Sequence, residues 1–201
     1  MEFIILIPSF FIFLYTLYKL GKDDHVFLRR NVRPEQFFDL ALIVIVISWI
    51  FIKLLPLNSS SFTFFVLSGS VTLYLAGKYK KLPIGRIFDF FTLSFLSAIP
   101  MWYLLRGIIY KGQEQIISLI LTLVYLVIAF VFFKKLLTKV MSRTLKEGSI
   151  SIYFLIIMSF TTLMHSAYNF FILKNNPINA ENIILLLLLP ISAVLLIRNR
   201  K

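Results

Sequence analysis

Few side chains in this sequence could carry chemistry, and most of them lie in or beside strongly apolar stretches. Asp39 and Asp89 stand near the openings of two such stretches, Arg106 follows Trp102 and Tyr103 near the close of another, and His165 sits in Thr161-Thr162-Leu163-Met164-His165-Ser166-Ala167-Tyr168-Asn169. Charge inside a bilayer costs enough that each is a functional candidate by default. Each also has a plainer reading. Asp39 follows Arg33-Pro34-Glu35-Gln36, and Asp89 closes Leu82-Pro83-Ile84-Gly85-Arg86-Ile87-Phe88-Asp89. A Pro suited to a first helical turn, followed by an acid, equally describes a carboxylate favoured by its own helix dipole. Arg106 has the fork to hold a lipid phosphate through two hydrogen bonds, or it is a snorkelling interfacial Arg in an aromatic belt. His165 is a candidate base, or one of several polar groups that bind helix to helix. Gly69, between Ser68 and Ser70, reads as a close helix contact, and His25, beside Asp23 and Asp24, as a solvated loop residue.

The elements that must position these groups follow from composition. The chain has 201 residues, 59% hydrophobic, 16% aromatic and only 15% charged, with a mean hydropathy of +0.89. A soluble domain of this composition would expose more apolar surface than water tolerates, so the solvent is largely lipid. A spanning helix needs about 20 mostly apolar residues. Seven stretches come close, approximately Glu2 to Leu20, Phe37 to Leu57, Phe62 to Gly77, Ile87 to Leu105, Gln115 to Phe133, Ile150 to Leu173 and Asn182 to Ile197. Pro100 and Pro190 fall within the fourth and seventh, where kinks are expected. The loops are short, so the expectation is one all-α integral membrane domain over residues 1–201.

Charge sets the orientation. Of the 21 Lys and Arg, 17 fall after the first, third, fifth and seventh stretches, and Lys53, Arg106, Lys111 and Lys174 fall on the other side. By the positive-inside rule the N-terminus is outside and the C-terminus cytoplasmic, which an odd number of spans satisfies. Glu2 before the first span and Lys19 and Lys22 after it are the reverse of a cleaved signal peptide, so that span is expected to be retained. The net charge of +12 is accounted for by these loops rather than by a nucleic-acid surface. With no Cys, disulfides, thiolate nucleophiles and thiolate metal sites are excluded, and with only two His, at 25 and 165, neither a His-based metal site nor a cofactor is expected. No signal for an oligomeric state is visible.

Two stretches give this layout a likeness. Leu28-Arg29-Arg30-Asn31-Val32-Arg33-Pro34-Glu35-Gln36-Phe37-Phe38-Asp39-Leu40, and Leu73-Tyr74-Leu75-Ala76-Gly77-Lys78-Tyr79-Lys80-Lys81-Leu82-Pro83 continuing to Arg86-Ile87-Phe88-Asp89, resemble the basic loops and following helices of the bacterial prolipoprotein diacylglyceryl transferase family. Gln115 is similar to the Gln that opens that family's fifth helix, and Gly148-Ser149-Ile150 to the opening of its sixth. The resemblance implies about seven spans in a bacterial cytoplasmic (inner) membrane. It also implies transfer of a diacylglyceryl group from phosphatidylglycerol to the Cys of a prolipoprotein signal peptide. That chemistry needs a group to take the thiol proton and fixed positive charge for the departing phosphate.

The sequence departs from the family where those groups belong. Counting back from Leu82-Pro83, the family's Ser-Phe-His-Gly-Gly run falls on Ser61-Phe62-Thr63-Phe64-Phe65, so Thr63 replaces the His. The Gly-Arg-Ile-Gly-Asn signature falls on Trp102-Tyr103-Leu104-Leu105-Arg106, so Tyr103 replaces the Arg and Arg106 the Asn. Gly112, Ile117 and Ser118 stand where His, Tyr and Glu would flank Gln115. Three readings follow. A divergent transferase would use Arg106 as cation and His165 as base in an outward lipid cavity with Tyr103 and Gln115. A non-catalytic relative would hold a phospholipid or a signal-peptide helix with Arg106, Tyr103, Gln115 and Thr63. An unrelated small multispan transporter or assembly factor would be favoured by an aqueous path across the membrane, yet the spans lack the buried charge pairs usual in ion or proton pathways.

Overall fold

The computed structural model describes residues 2–29, 32–54, 61–173 and 180–200, which are helical and contain no strand. The elements are α1 (Glu2–Lys22), α2 (His25–Arg29), α3 (Glu35–Leu54), α4 (Ser61–Tyr79), α5 (Ile84–Ile109), α6 (Gln113–Val131), a π-helical turn (Phe132–Leu137), α7 (Thr138–Met141), α8 (Ser149–Leu173) and α9 (Ala180–Arg200). α5 and α9 run on through Pro100 and Pro190. Three helices among the described residues are long and apolar enough to cross a membrane: Ile5–Lys22, Ile84–Ile109 and Gln113–Met141. At 1.5 Å per residue, the 26 residues of the second reach about 39 Å, more than the roughly 30 Å of hydrocarbon to be crossed. Ser149–Met164 and Asn182–Arg198 are shorter apolar helices. The chain is therefore an all-helical membrane protein.

The surface of α6 shows the same solvent. Ile116, Ile120, Leu123, Val127 and Phe130 form one exposed stripe, while the buried side of the helix carries Ser118, Thr122, Tyr125 and Ala129. Both stripes step by three and four, so each is a single helix face. The apolar face looks out and the small or hydroxylated face looks in, the reverse of a soluble amphipathic helix.

α5 organises the bundle, packing against α1, α4, α6 and α8, while α3 pairs with α4 and α8 with α9. Its two faces belong to two cores. Ile87, Phe90 and Phe91 join Leu17, Phe27, Phe37 and Leu40, where the Phe27 ring stands edge-on to Phe37 at 4.8 Å and to Phe90 at 5.4 Å. Leu93, Leu96 and Ile99 join Ile150, Phe154, Met158 and Leu185. Gly69 is the close contact expected of it: a Cβ there would stand 3.3 Å from Ser48 Oγ and 3.4 Å from Val44 Cγ1 on α3.

Gly85 makes the tighter approach. A Cβ at this position would stand 3.0 Å from both the carbonyl carbon and oxygen of Glu147, backbone atoms with no rotamer to escape into. Gly85→Val is therefore expected to push the chain before α8 away from α5 and destabilise the fold by about 1–3 kcal/mol. Thermal aggregation of the purified protein in detergent would reveal it as a lowered midpoint; an unchanged midpoint would mean the two segments separate freely.

Candidate functional site

The polar groups of α5 lie at its two ends, and the two ends differ in kind. At the C-terminal end, Arg106 occupies the last turn with its guanidinium carbon 5.4 Å from the centroid of the Tyr110 ring. Its Nη2 is 3.6 Å from Glu114 Oε2 across the turn into α6, and the two side chains are 41% and 58% exposed. That separation exceeds the 2.7–2.9 Å of a charge-assisted hydrogen bond, so the pair is loose and the donor fork remains open to solvent. Gly107 lets α6 close on α5 here, its missing Cβ lying 3.5 Å from the Gln115 carbonyl oxygen. Arg106 and the start of α6, with Gln115, are thus brought to one end of the bundle.

Tyr103 is one turn below Arg106 and turned inward. Its ring lies parallel to that of Tyr125, with centroids 5.7 Å apart and planes 9° from parallel. The Tyr125 hydroxyl is 3.1 Å from the Thr161 hydroxyl on α8. Tyr103 thereby joins α5 to α6, and through Tyr125 to α8. Thr63 is fully buried in the first turn of α4. The side chain of His165 lies outside the described residues. Asp39 is exposed on α3 and stands 3.6 Å from Lys80, and His25 is exposed as expected.

The N-terminal end of α5 holds the charge that is truly buried. Arg86, counted by its position among the basic loop residues, is instead in the first turn of α5 with its side chain 3% exposed. Its Nε donates to Asp24 Oδ2 at 2.7 Å, its Nη1 to Glu147 Oε1 at 3.0 Å and its Nη2 to Met141 Sδ at 3.1 Å. Asp24 is itself fully buried, and its other oxygen, Oδ1, accepts from the backbone N–H groups of Val26 and Phe27, capping α2. One carboxylate therefore holds a helix start with one oxygen and the guanidinium with the other.

Asp89 plays the same part between helices. Its Oδ2 accepts from Gly148 N–H at 2.7 Å, and its Oδ1 from Ser151 N–H at 3.1 Å and the Ser151 hydroxyl at 3.2 Å. The dipole that favours it is that of α8 rather than that of its own helix, as the sequence position had implied. Gly148 has φ +90°, a conformation open to Gly, and this aims its N–H at the carboxylate. A sequence signal for the Arg86 cluster does exist. A cation in the first turn of a helix opposes the dipole, so it needs carboxylate partners from elsewhere. Among the described residues no group of three or more His, Cys, Asp and Glu is arranged to hold a metal ion.

Comparison with family models, with curated proteins and with solved structures finds no match to this chain.

Proposed function

We propose that this chain is a multi-pass protein of the bacterial cytoplasmic membrane that binds a phospholipid, phosphatidylglycerol, on the scaffold its loops resemble, without transferring the diacylglyceryl group. The proposed topology is seven spans, N-terminus outside and C-terminus cytoplasmic. Its support is the segregation of 17 of the 21 basic residues to one side of the apolar stretches and the order of the two long motifs.

One observation carries the binding reading. Arg106 presents a half-exposed guanidinium, steadied on Tyr110 and only loosely matched by Glu114 at 3.6 Å. A phosphate takes two parallel N–H donors from such a fork, which a carboxylate at this distance does not. The absence of transfer rests on the neighbouring groups. Thr63 stands where a base is required, and an alkyl hydroxyl does not accept a thiol proton near neutral pH. Tyr103 stands where a fixed cation is required and supplies a hydrogen bond but no positive charge. Losing charge stabilisation of a leaving group alone costs about 10²–10³ in rate.

Reconstitution with phosphatidylglycerol and a lipobox peptide tests both halves. No diacylglyceryl thioether is expected on the peptide Cys by mass spectrometry, while phosphatidylglycerol copurifies with the parent chain and is depleted in Arg106→Ala. A thioether product that vanishes in Arg106→Ala or His165→Ala would overturn the reading in favour of a rebuilt transferase. Equal lipid recovery from parent and Arg106→Ala would overturn the binding site.

A further inference from the structure

A second lipid seat is built at the opposite end of α5, on different residues. α1 and α6 both pack on α5, and where α6 passes into the π-helical turn a cleft of about 290 Å³ lies between that turn, α1 and α5. Its walls are Leu20, Phe90, Phe133, Leu137 and Met141. Phe133 and Leu137 are one turn apart on the π-helical segment, a form of helix that recurs at functional sites because it interrupts regular packing. The lining is mostly apolar; Thr16, whose hydroxyl accepts from Ser97 at 3.0 Å, adds one polar group, and at the rim Lys19 and Asp23 stand one turn apart on α1 and just beyond it.

The rim is where the occupant can be identified. Lys19 and Asp23 are both exposed, and neither side chain reaches an ion-pair or hydrogen-bond partner among the described residues. They do not pair with one another. Among the described residues the cleft therefore offers one cation and one anion without a partner above a mostly apolar slot, at the end of the bundle where Lys22, Lys134, Lys135 and Lys139 are also exposed. A basic surrounding of this kind lies at the headgroup level of a bilayer.

We propose that this cleft seats a zwitterionic aminophospholipid of the bilayer, with one acyl chain in the slot, the phosphate against Lys19 and the headgroup ammonium against Asp23. The surrounding lysines draw anionic lipid to this end of the bundle as a whole, but at the slot itself an anionic headgroup would be served by Lys19 and left facing Asp23. A trimethylated ammonium would match the charge of Asp23 without a hydrogen to donate. Phosphatidylethanolamine satisfies both rim groups. The seat does not depend on the reading of Arg106. Arg106 is 16 residues along α5 from Phe90, about 24 Å away.

The full-length Phe133→Trp chain reports on the slot, read as the difference from the parent, which already carries Trp49 and Trp102. Vesicles of phosphatidylcholine would contain a minor fraction of brominated-acyl phosphatidylethanolamine, phosphatidylglycerol or phosphatidylcholine as quencher. Quenching by the ethanolamine lipid is expected to be about threefold stronger than by the other two, the range of one surface ion pair. That preference disappears in Lys19→Ala and in Asp23→Asn, both exposed positions whose replacement leaves the core intact. Val127→Trp, on the exposed stripe of α6, shows equal quenching by all three lipids. Leu137→Trp repeats the measurement should Phe133→Trp disturb the fold. Equal quenching at the slot, stronger quenching by phosphatidylglycerol, or an ethanolamine preference that survives both rim substitutions would each overturn the assignment.

Discussion

Arg86→Leu destabilises the protein by about 3–5 kcal/mol, the cost of leaving a buried charge without its partner. The guanidinium is shared by Asp24, Glu147 and Met141, which arrive from the α1–α2 junction, the segment before α8 and α7. Removing it strands Asp24, which is fully buried and keeps only the N–H groups of Val26 and Phe27. Glu147 is 41% exposed and turns to water, so it adds little to the loss. Arg86→Lys retains the charge, but a single ammonium cannot span three acceptors held by a planar fork, and an intermediate loss is expected. The decisive measurement is a double-mutant cycle with Asp24→Asn in SDS-induced unfolding. The double variant should be milder than the sum of the singles by about 2 kcal/mol. Additivity to within about 0.5 kcal/mol would mean that the two groups do not depend on one another.

Asp89→Ala has the second largest effect, about 2–3 kcal/mol, and the figure follows from two opposing terms. Three donors lose a charged acceptor, each such hydrogen bond contributing about 1.5–3 kcal/mol. Against that, removing a buried carboxylate recovers several kcal/mol of its desolvation cost. No ion pair to Asp89 occurs among the described residues, so its compensation comes from the Gly148 and Ser151 donors at the start of α8. Asp89→Asn keeps one acceptor oxygen and is expected to lose about 1 kcal/mol. Hydrogen exchange separates this account from a general loss of packing. The amides of Gly148 and Ser151 should exchange faster in Asp89→Ala, while those in the middle of α5 change only with global stability. Unchanged exchange at both amides would show that the cap is dispensable.

The two ends of α5 were unequally legible in the sequence. Arg106 at its helix end and the Gly69 contact are local features, readable from neighbours within one turn. Asp39, expected at a helix start, lies beyond the first turn of α3, which holds Glu35, and is in loose contact with Lys80. The first-turn position of Arg86 called for a carboxylate partner, but its burial was masked because its charge matches the positive loop beside it, and that of Asp24 because it is flanked by exposed Asp23 and His25. The partners of Arg86 stand 62 and 61 positions away, and Asp89 reaches 59 positions forward to Gly148. Thr63 and Tyr103 were identified as departures from a family pattern. That the Tyr103 ring stacks on Tyr125 required the packing of α5 on α6.

Hydropathy and residue spacing by themselves determined that this chain is helical and dwells in lipid, because both are read from side chains within a turn or two of each other. Only the tertiary structure decided which charges are buried and what satisfies them, because burial is a property of distant segments meeting. Arg86 is a loop cation in one dimension and the centre of a three-element ion cluster in three. The slot beside it exists only because α1 and the π-helical turn, distant in sequence, both flank α5 there.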